Sequence, residues 1–290
     1  MIQKSRLLIS FLLMIFSMLP IFINSHASEK LSPIKMAIIS LAPPSKIYMQ
    51  WQEFADHLSA KINREVEIIV PRGFKKIKQA VENHEVDLFY VNSYIMYRLI
   101  NEGKAKPIAQ MYNLNESIYS NSVMFVRTDS GIDSIQDLKG EKIAFVSPMG
   151  AGGYLAPRAA FYQSGVKTKT DTDEQFTKNL SSSIHKVLVG DVKAGTMCGL
   201  NFDLMSKRIE TGDLKIISKS DDYPENAFGT HPKLSENLRN KITSAIIEMD
   251  SDISGRKVLD NMRGMKVLKF VQYDQVAEKT TEKLMRVAEF

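Results

Sequence analysis

The stretch that decides the fold is residues 134–160, SIQDLKGEKIAFVSPMGAGGYLAPRAA. Its pattern predicts a short helix, a glycine turn, a buried strand over residues 142–147, a glycine-rich loop and a helix that begins near Tyr154. Glycines let the loop turn sharply and leave amide N–H groups uncovered, and the positive end of the next helix points to the same place. The loop is therefore a candidate seat for an anionic or strongly polar ligand, formed by Gly150, Ala151, Gly152 and Gly153.

Outward from this stretch, apolar runs of strand length alternate with segments of helical periodicity. Strands are predicted over residues 34–41, 66–70, 86–91, 122–127 and 214–218. Helices are predicted between them, the first of them capped by Ser45, and from Pro232 onward the pattern is helical to the end. This alternation predicts an α/β protein with mainly parallel sheets and a helical C-terminal region. Ligands of such sheets bind at the carboxyl ends of the strands.

The N-terminal segment has the layout of a cleavable secretory signal. Lys4 and Arg6 precede an apolar run over residues 7–23, and Ser25-His26-Ala27 forms a small-x-small site. We expect residues 1–27 to be a signal peptide and the mature protein to lie in the periplasm. A retained membrane anchor is the alternative, although the run is short for a span and interrupted by serine and proline.

Composition excludes several classes of protein. The formal charge of the whole sequence is +5, and two of its bases, Lys4 and Arg6, lie in the predicted signal peptide. Residues 28–290 therefore carry 36 bases against 33 acids. The bases are scattered rather than gathered in a stripe with stacking aromatics, so we expect no nucleic-acid partner. Cys198 is the only cysteine, so no internal disulfide can form, and its apolar surroundings indicate a core residue.

Catalytic and metal-binding motifs are absent from the sequence. The five histidines have no HExxH or similar spacing, and no G-x-S-x-G elbow, Walker A loop or CxxC occurs. The G-A-G-G order of the loop differs from a dinucleotide-binding G-x-G-x-x-G. We therefore expect no cofactor, no metal site and no enzymatic activity.

Polar and aromatic residues at predicted strand ends are candidate ligand contacts. Tyr90, Asn92 and Ser93 lie at the carboxyl end of one strand, where Asn92 and Ser93 could equally cap the next helix. Tyr48 has a similar ambiguity in the first turn of its helix, and is proposed with Tyr90 as a wall of the cleft. Asn201 and Asp203 are polar candidates because they follow the predicted extended segment at residues 194–200.

Three segments in the same order resemble the phosphonate/phosphite-type substrate-binding proteins of ABC importers. The first is Asp87-Leu88-Phe89-Tyr90-Val91-Asn92-Ser93, similar to that family's D-h-a-[WYF]-h-G. The second joins residues 127–132, 137–140 and 148–158, and is similar to "DSGI…DLKG…P.STSG.L.P". The third, residues 187–195, is similar to "AV..G.VDAG". The resemblance covers nearly all of residues 33–250.

This resemblance implies a two-lobed type II periplasmic-binding fold. The first lobe would comprise residues 28–118 and 223–290, and the second residues 119–222. The lobes would close on a small solute held between the amides near Gly150 and the side chains near Tyr90. A monomer that passes its solute to an ABC permease is the expected assembly.

The sequence also departs from the family pattern. Gly150-Ala151-Gly152 stands where the family has Ser-Thr-Ser, so three hydroxyl donors to a phosphonate head group are missing. Lys193 replaces an acidic residue, and the family's downstream histidine aligns near Leu180. The resemblance therefore implies the fold and a binding role, whereas the loop offers a phosphonate head group only backbone donors.

The leading hypothesis is a periplasmic protein that captures a small polar solute for an ABC importer, with a phosphonate-like anion as the candidate. One alternative is a ligand-sensing subunit that reports to a membrane sensor. The other is an enzyme on the same scaffold, which would require a cluster of ionisable groups in the cleft.

Overall fold

The computed structural model describes residues 31–39 and 42–290, in which Pro33–Phe290 form one compact unit. The predicted signal peptide lies outside the described residues. Within them, no helix is long and apolar enough to span a membrane.

Thirteen strands are present in the described residues. They are β1 Ile34–Ile38, β2 Val66–Ile69, β3 Leu88–Val91, β4 Lys106–Asn113, β5 Tyr119–Ser120, β6 Ser122–Arg127, β7 Lys142–Phe145, β8 Asp173–Phe176, β9 Ala194–Cys198, β10 Leu214–Lys219, β11 Tyr223–Pro224, β12 Ala227–Thr230 and β13 Val267–Gln272.

Ten α-helices connect or follow these strands in the same part of the chain. They are α1 Pro44–Ile62, α2 Phe74–Glu82, α3 Ser93–Asn101, α4 Ala156–Gln163, α5 Thr168–Asp171, α6 Leu180–Leu188, α7 Gly199–Ser206, α8 Glu236–Ile247, α9 Ile253–Met262 and α10 Val276–Val287. Single helical turns lie at Gln136–Leu138, Ala151–Leu155 and Arg263–Met265.

The strands form two larger sheets and one short ribbon. One sheet has six strands in the order β13-β4-β12-β3-β1-β2, and the other has five in the order β10-β6-β9-β7-β8. The antiparallel pair β5 and β11 lies in the two connections between the sheets. The chain leaves the six-stranded sheet through β5 and returns to it through β11.

Both sheets are mixed, so the expectation of mainly parallel sheets is wrong. The pairs of β1 with β2 and β3, and of β7 with β8 and β9, are parallel. By contrast, β12 is antiparallel to β3 and β4, and β6 is antiparallel to β9 and β10. The reason is the return connection: Ala227, the first residue of β12, pairs with Val91, the last of β3.

The region from Pro232 onward is not wholly helical, because it contains the strand β13. The first helix also begins differently from the prediction. Its N-terminal residue is Pro44, preceded by Pro43, and no side chain caps it. Proline at the first helical position has a suitable φ and lacks only an N–H that would be unpaired anyway. Ser45 is therefore inside the helix and does not cap it.

Helices cover both faces of the six-stranded sheet, which makes its strands apolar on both sides. In β3, Leu88 and Tyr90 pack toward α1, α8 and α9, whereas Phe89 and Val91 pack toward α2 and α3. The first layer contains an aromatic group centred on Phe228, whose ring stacks on Phe54 with the centroids 5.2 Å apart. This layer also supports the cleft-facing residues described below.

Phe228→Ala tests the aromatic core. The side chain is fully buried, so its loss leaves a cavity and we expect a decrease of about 3–5 kcal/mol in the free energy of unfolding, measured by urea denaturation. Ile253→Ala is the matched control: Ile253 is 80% exposed, and its truncation should cost less than about 0.5 kcal/mol. Equal effects of the two variants would contradict this assignment of the core.

His231 makes the stability depend on pH. The pKa of His231 is lowered mainly by burial and next by the charge of His84, whose ring lies 4.0 Å away between centroids. Lys233 and Lys104 lower this pKa further, and Asp87 raises it. Near pH 6, the unfolded chain therefore binds more protons at this residue than the folded chain does. Stability should fall as the pH decreases from about 7 to about 5. His231→Gln should flatten this slope in thermal melts, and the exposed His185→Gln should not.

Candidate functional site

The glycine-rich loop joins β7 to α4 through a wide helical turn. Leu155 N–H donates to the carbonyl of Gly150 at 2.9 Å, and Ala156 N–H donates to Ala151, so the first turn is looser than an α-helix. The first N–H groups of a helix have no intrahelical acceptor. In the described part of the chain, no backbone acceptor pairs with the N–H groups of residues 151–153. These amides remain available to a ligand.

The carbonyl groups of the same loop are held by the protein. Gly152 O accepts from Ser122 Oγ at 2.7 Å. Gly153 O accepts from Val146 N–H at 3.2 Å and from Thr196 Oγ1 at 3.3 Å. Because the acceptors are engaged and the donors are not, the loop presents a net donor surface, as an anion requires.

Asn92 connects the loop to the six-stranded sheet. Its Oδ1 accepts from Ile95 N–H at 3.0 Å and caps α3, while its Nδ2 donates to the carbonyl of Met149 at 3.0 Å. The side chain is 6% exposed. The sequence left capping and ligand contact open for Asn92, and the structure shows capping together with a tie to the loop.

A cleft of about 1400 Å³ opens beside the loop, lined by residues from both larger sheets. Its charge is strongly unbalanced. Glu225 is the one acidic residue among the described residues that line it, against six bases: Lys46, Arg72, Lys75, Lys178, Arg208 and Lys266. These bases are scattered along the sequence and form no motif, so they were not predicted as site residues. Only the fold gathers them around one cavity.

Two aromatic side chains form a wall of the same cavity that the loop lines. Trp51 from α1 and Tyr90 from β3 both line the cavity, with ring centroids 4.9 Å apart. The Tyr90 hydroxyl donates to Met111 Sδ at 3.1 Å. Burial first, then the charge of Glu225, raises the pKa of Tyr90 far above its usual range. The wall is therefore uncharged at physiological pH. Trp51 was not among the candidate ligand contacts predicted from the sequence.

The floor of the cleft lies where the chain passes between the sheets. Glu225 is 6% exposed and accepts hydrogen bonds from Asn113 Nδ2 at 3.0 Å and from Ser120 Oγ. Tyr223 and Cys198 line the cavity beside it. Two hydrogen bonds compensate for the burial of the Glu225 carboxylate. The connections between the sheets are thus joined by a buried polar network at the base of the cavity.

One further side-chain contact bridges the cleft. Lys266 Nζ, from the segment before β13, donates to Asn201 Oδ1 on α7. Both residues line the cavity, and Lys266 is 8% exposed. This hydrogen bond joins the segment that precedes β13 of the six-stranded sheet to the helix that follows β9 of the five-stranded sheet.

The predicted site residues fall into two groups. Those that line the cleft are Tyr90, Asn92, Gly150, Ala151, Gly152, Gly153 and Asn201. Those outside its lining are Tyr48, Ser93 and Asp203. The Tyr48 hydroxyl donates to Ile68 O at 3.2 Å, Ser93 is buried as the first residue of α3, and Asp203 is exposed on α7.

The cleft contains no arrangement typical of acid–base or metal chemistry among the described residues. No histidine lines it, and Glu225 has no second carboxylate beside it in the lining. No group of three or more histidine, cysteine, aspartate or glutamate residues in the described ranges could hold a metal ion. What the arrangement can do is bind a negatively charged solute.

Comparison with known proteins gives the family. The family model described as "ABC transporter, phosphonate, periplasmic substrate-binding protein" matches residues 36–276. The phosphonates-binding periplasmic protein of Escherichia coli (strain K12) is 22% identical over 255 residues, covering 85% of this chain and 75% of the relative.

One further relative and one solved structure also match the chain. The tetrathionate sensor histidine kinase TtrS of Salmonella typhimurium is 22% identical over 230 residues, covering 73% of this chain but only 38% of the kinase. The structure of PhnD1 from Prochlorococcus marinus, in complex with methylphosphonate, superposes with a TM-score of 0.75 at 18% identity, covering 87% of this chain and 97% of PhnD1. The predicted fold class, α/β of the type II periplasmic-binding kind, is confirmed.

Two variants of Asn92 separate its cap from its tie to the loop. Asn92→Asp keeps an oxygen for Ile95 N–H but loses the donor to Met149, whereas Asn92→Ala loses both. Hydrogen exchange should rise at residues 149–155 in both variants, and at the first turn of α3 only in Asn92→Ala. Unchanged exchange at residues 149–155 would show that the tie does not hold the loop.

Proposed function

The chain belongs to the phosphonate-type periplasmic substrate-binding proteins of ABC transporters, and from this membership we propose that it captures a small anion in its cleft and delivers it to a membrane permease. The amides of residues 151–153 would hold the charged group of the solute. Trp51 and Tyr90 would contact its less polar part.

The observation that carries this proposal is the charge of the cleft. Six bases and one acid line the cavity, although residues 28–290 as a whole are nearly balanced. A cavity with walls of low dielectric constant and one sign of charge concentrates oppositely charged solutes and accelerates their entry. Because five of the bases are exposed, salt should screen much of this attraction.

A phosphonate is one candidate among several anions. Residues 150–152 have no side-chain hydroxyl, so they offer a phosphonate head group backbone donors only. A hydrogen bond to a charged partner contributes about 1.5–3 kcal/mol, and losing several would remove much of the affinity. We therefore propose an oxyanion recognised by amides and cationic side chains as the solute class, with phosphonates, phosphate and sulfur oxyanions as the candidates to test.

The mechanism would be closure of two lobes, residues 28–118 with 223–290 and residues 119–222. The short ribbon of β5 and β11 is the place for a hinge, since it lies in the connections between the larger sheets. A solute that contacts both sides selects the closed state because its binding free energy depends on closure. The Lys266–Asn201 hydrogen bond would favour partial closure before the solute arrives.

We propose that the protein acts as a monomer in the periplasm after cleavage near Ala27. The family is periplasmic, and the apolar N-terminal run of the sequence supports export. N-terminal sequencing of the protein from a periplasmic fraction tests this directly. A mature chain that still begins at Met1 would favour the retained anchor.

A sensing role is the second candidate, favoured by the match to a tetrathionate sensor kinase over 73% of this chain. In that role the same closure would be reported to a membrane receptor. The two candidates differ in partner: a transport protein should stimulate the ATPase of a reconstituted permease, and a sensor subunit should alter the activity of a kinase. Binding alone does not separate them.

A thermal-shift panel tests the anion hypothesis. Methylphosphonate, phosphate, sulfate, tetrathionate and an uncharged sugar would be added to residues 28–290. We expect at least one anion to raise the melting temperature, because a solute at a hundredfold excess over its Kd stabilises by about 2.7 kcal/mol. Sodium chloride should weaken the shift. A protein stabilised only by the uncharged sugar would overturn the proposal.

Arg208→Ala, with Lys207→Ala as its control, tests the cationic lining. Both side chains are exposed neighbours after α7, but only Arg208 lines the cleft. We expect Arg208→Ala to weaken anion binding about two- to fivefold and Lys207→Ala to leave it unchanged in calorimetric titrations. An equal effect of both variants would show that net charge, rather than the cleft, attracts the anion.

A further inference from the structure

The side-chain space of residue 152 is occupied by another residue. A Cβ atom built on Gly152 would meet the hydroxyl oxygen of Tyr223 and lie 2.5 Å from its Cζ. Gly150 differs, because a Cβ there would lie 3.2 Å from Ser147 O and 3.6 Å from the Phe74 ring. A side chain at 152 would therefore have to displace the phenol of Tyr223, whereas a small side chain at 150 needs only a slight adjustment.

Tyr223 reaches the loop from β11, the strand by which the chain returns to the six-stranded sheet. It is 5% exposed and lines the cleft. The groups beside its hydroxyl are the Cys198 thiol and the Ser122 hydroxyl, and Ser122 Oγ already donates to Gly152 O at 2.7 Å. A thiol is a weak acceptor and the Ser122 oxygen is a neutral one, so neither of these two groups is a charged partner for the phenolic proton.

The protonation state of Tyr223 suits contact with an anion. Burial first, then the neighbouring Cys198 and the charge of Glu225, raises the pKa of Tyr223 well above its usual range. The phenol therefore stays neutral and keeps its O–H donor under all physiological conditions. A neutral donor can approach an anion without repulsion, and the resulting hydrogen bond is charge-assisted.

We propose that Tyr223 is a specificity-determining residue that supplies, from the strand between the sheets, the hydroxyl donor that residue 152 cannot carry. This rests on the proposed anion-binding function. The Tyr223 O–H would donate to a charged oxygen of the anion in place of its neutral partners, while the other oxygens of the anion accept from the amides of residues 151–153. The loop then lacks a side-chain hydroxyl at residue 152, and the Tyr223 hydroxyl occupies the space that such a side chain would need.

Tyr223→Phe tests the donor, with Tyr48→Phe as the matched control. Both variants remove one phenolic hydroxyl, but Tyr48 lies outside the cleft lining. The test solute is whichever of methylphosphonate, phosphate, sulfate or tetrathionate the wild type binds. We expect Tyr223→Phe to weaken its binding roughly 10- to 100-fold in calorimetric titrations, and Tyr48→Phe to change it less than twofold.

A double-mutant cycle tests the shared space by a measurement that needs no ligand. Gly152→Ser alone should lower the melting temperature strongly, because its Cβ meets the phenol. In the Tyr223→Ala background the same substitution should cost much less, which gives a coupling between the two sites.

Tyr223→Ala/Gly152→Ser also returns a hydroxyl to the loop and should recover part of the affinity for the anion that Tyr223→Ala loses.

The outcomes distinguish this inference from the proposed function. If the wild type binds an anion and Tyr223→Phe binds it equally well, the inference is overturned and the anion-binding function stands. If the wild type binds none of the four anions, both the proposed function and the donor role of Tyr223 fail. If Tyr223→Phe is too unstable to titrate, failure of the double variant to bind better than Tyr223→Ala overturns the inference.

Discussion

The architecture of the site depends on one side-chain amide, that of Asn92. Its Oδ1 accepts a hydrogen bond from the first turn of helix α3, and its Nδ2 donates to the carbonyl of Met149. One residue at the end of β3 in the six-stranded sheet is thus bonded to the loop that follows β7 in the five-stranded sheet. A backbone carbonyl tied in this way cannot turn into the cavity. The following N–H groups are thereby left as the polar surface that the loop presents to the cleft.

Much of the fold could be predicted from the sequence, because local periodicity reports burial on a helix or strand. The strand–loop–helix at residues 142–163 and the apolar strand before Asn92 are of this kind. The strands β12 and β13 were not found, since their direction and pairing depend on a return connection that short segments do not encode. Ser45 was misplaced because two prolines before it already provide a helix start.

The candidate site was predictable only where it follows from strand ends and glycines. Tyr90, Asn92 and the loop residues lie at the cleft for that reason. The basic lining could not be predicted, because its members come from distant segments and each resembles an ordinary surface lysine or arginine. Tyr223 could not be predicted either, since its relation to Gly152 is a matter of shared volume. The backbone of the site could therefore be predicted from local sequence, whereas the positive charge of its lining depends on tertiary packing.

Trp51, the only tryptophan of the sequence, is 3% exposed and packs on Tyr90 in the wall of the cleft. Indole emission responds to the polarity and mobility of its surroundings. All tryptophan fluorescence of this protein therefore originates at the one cavity where a solute would lodge. The molecule carries its own optical reporter, and occupancy of the cleft can be followed in solution without attaching a dye.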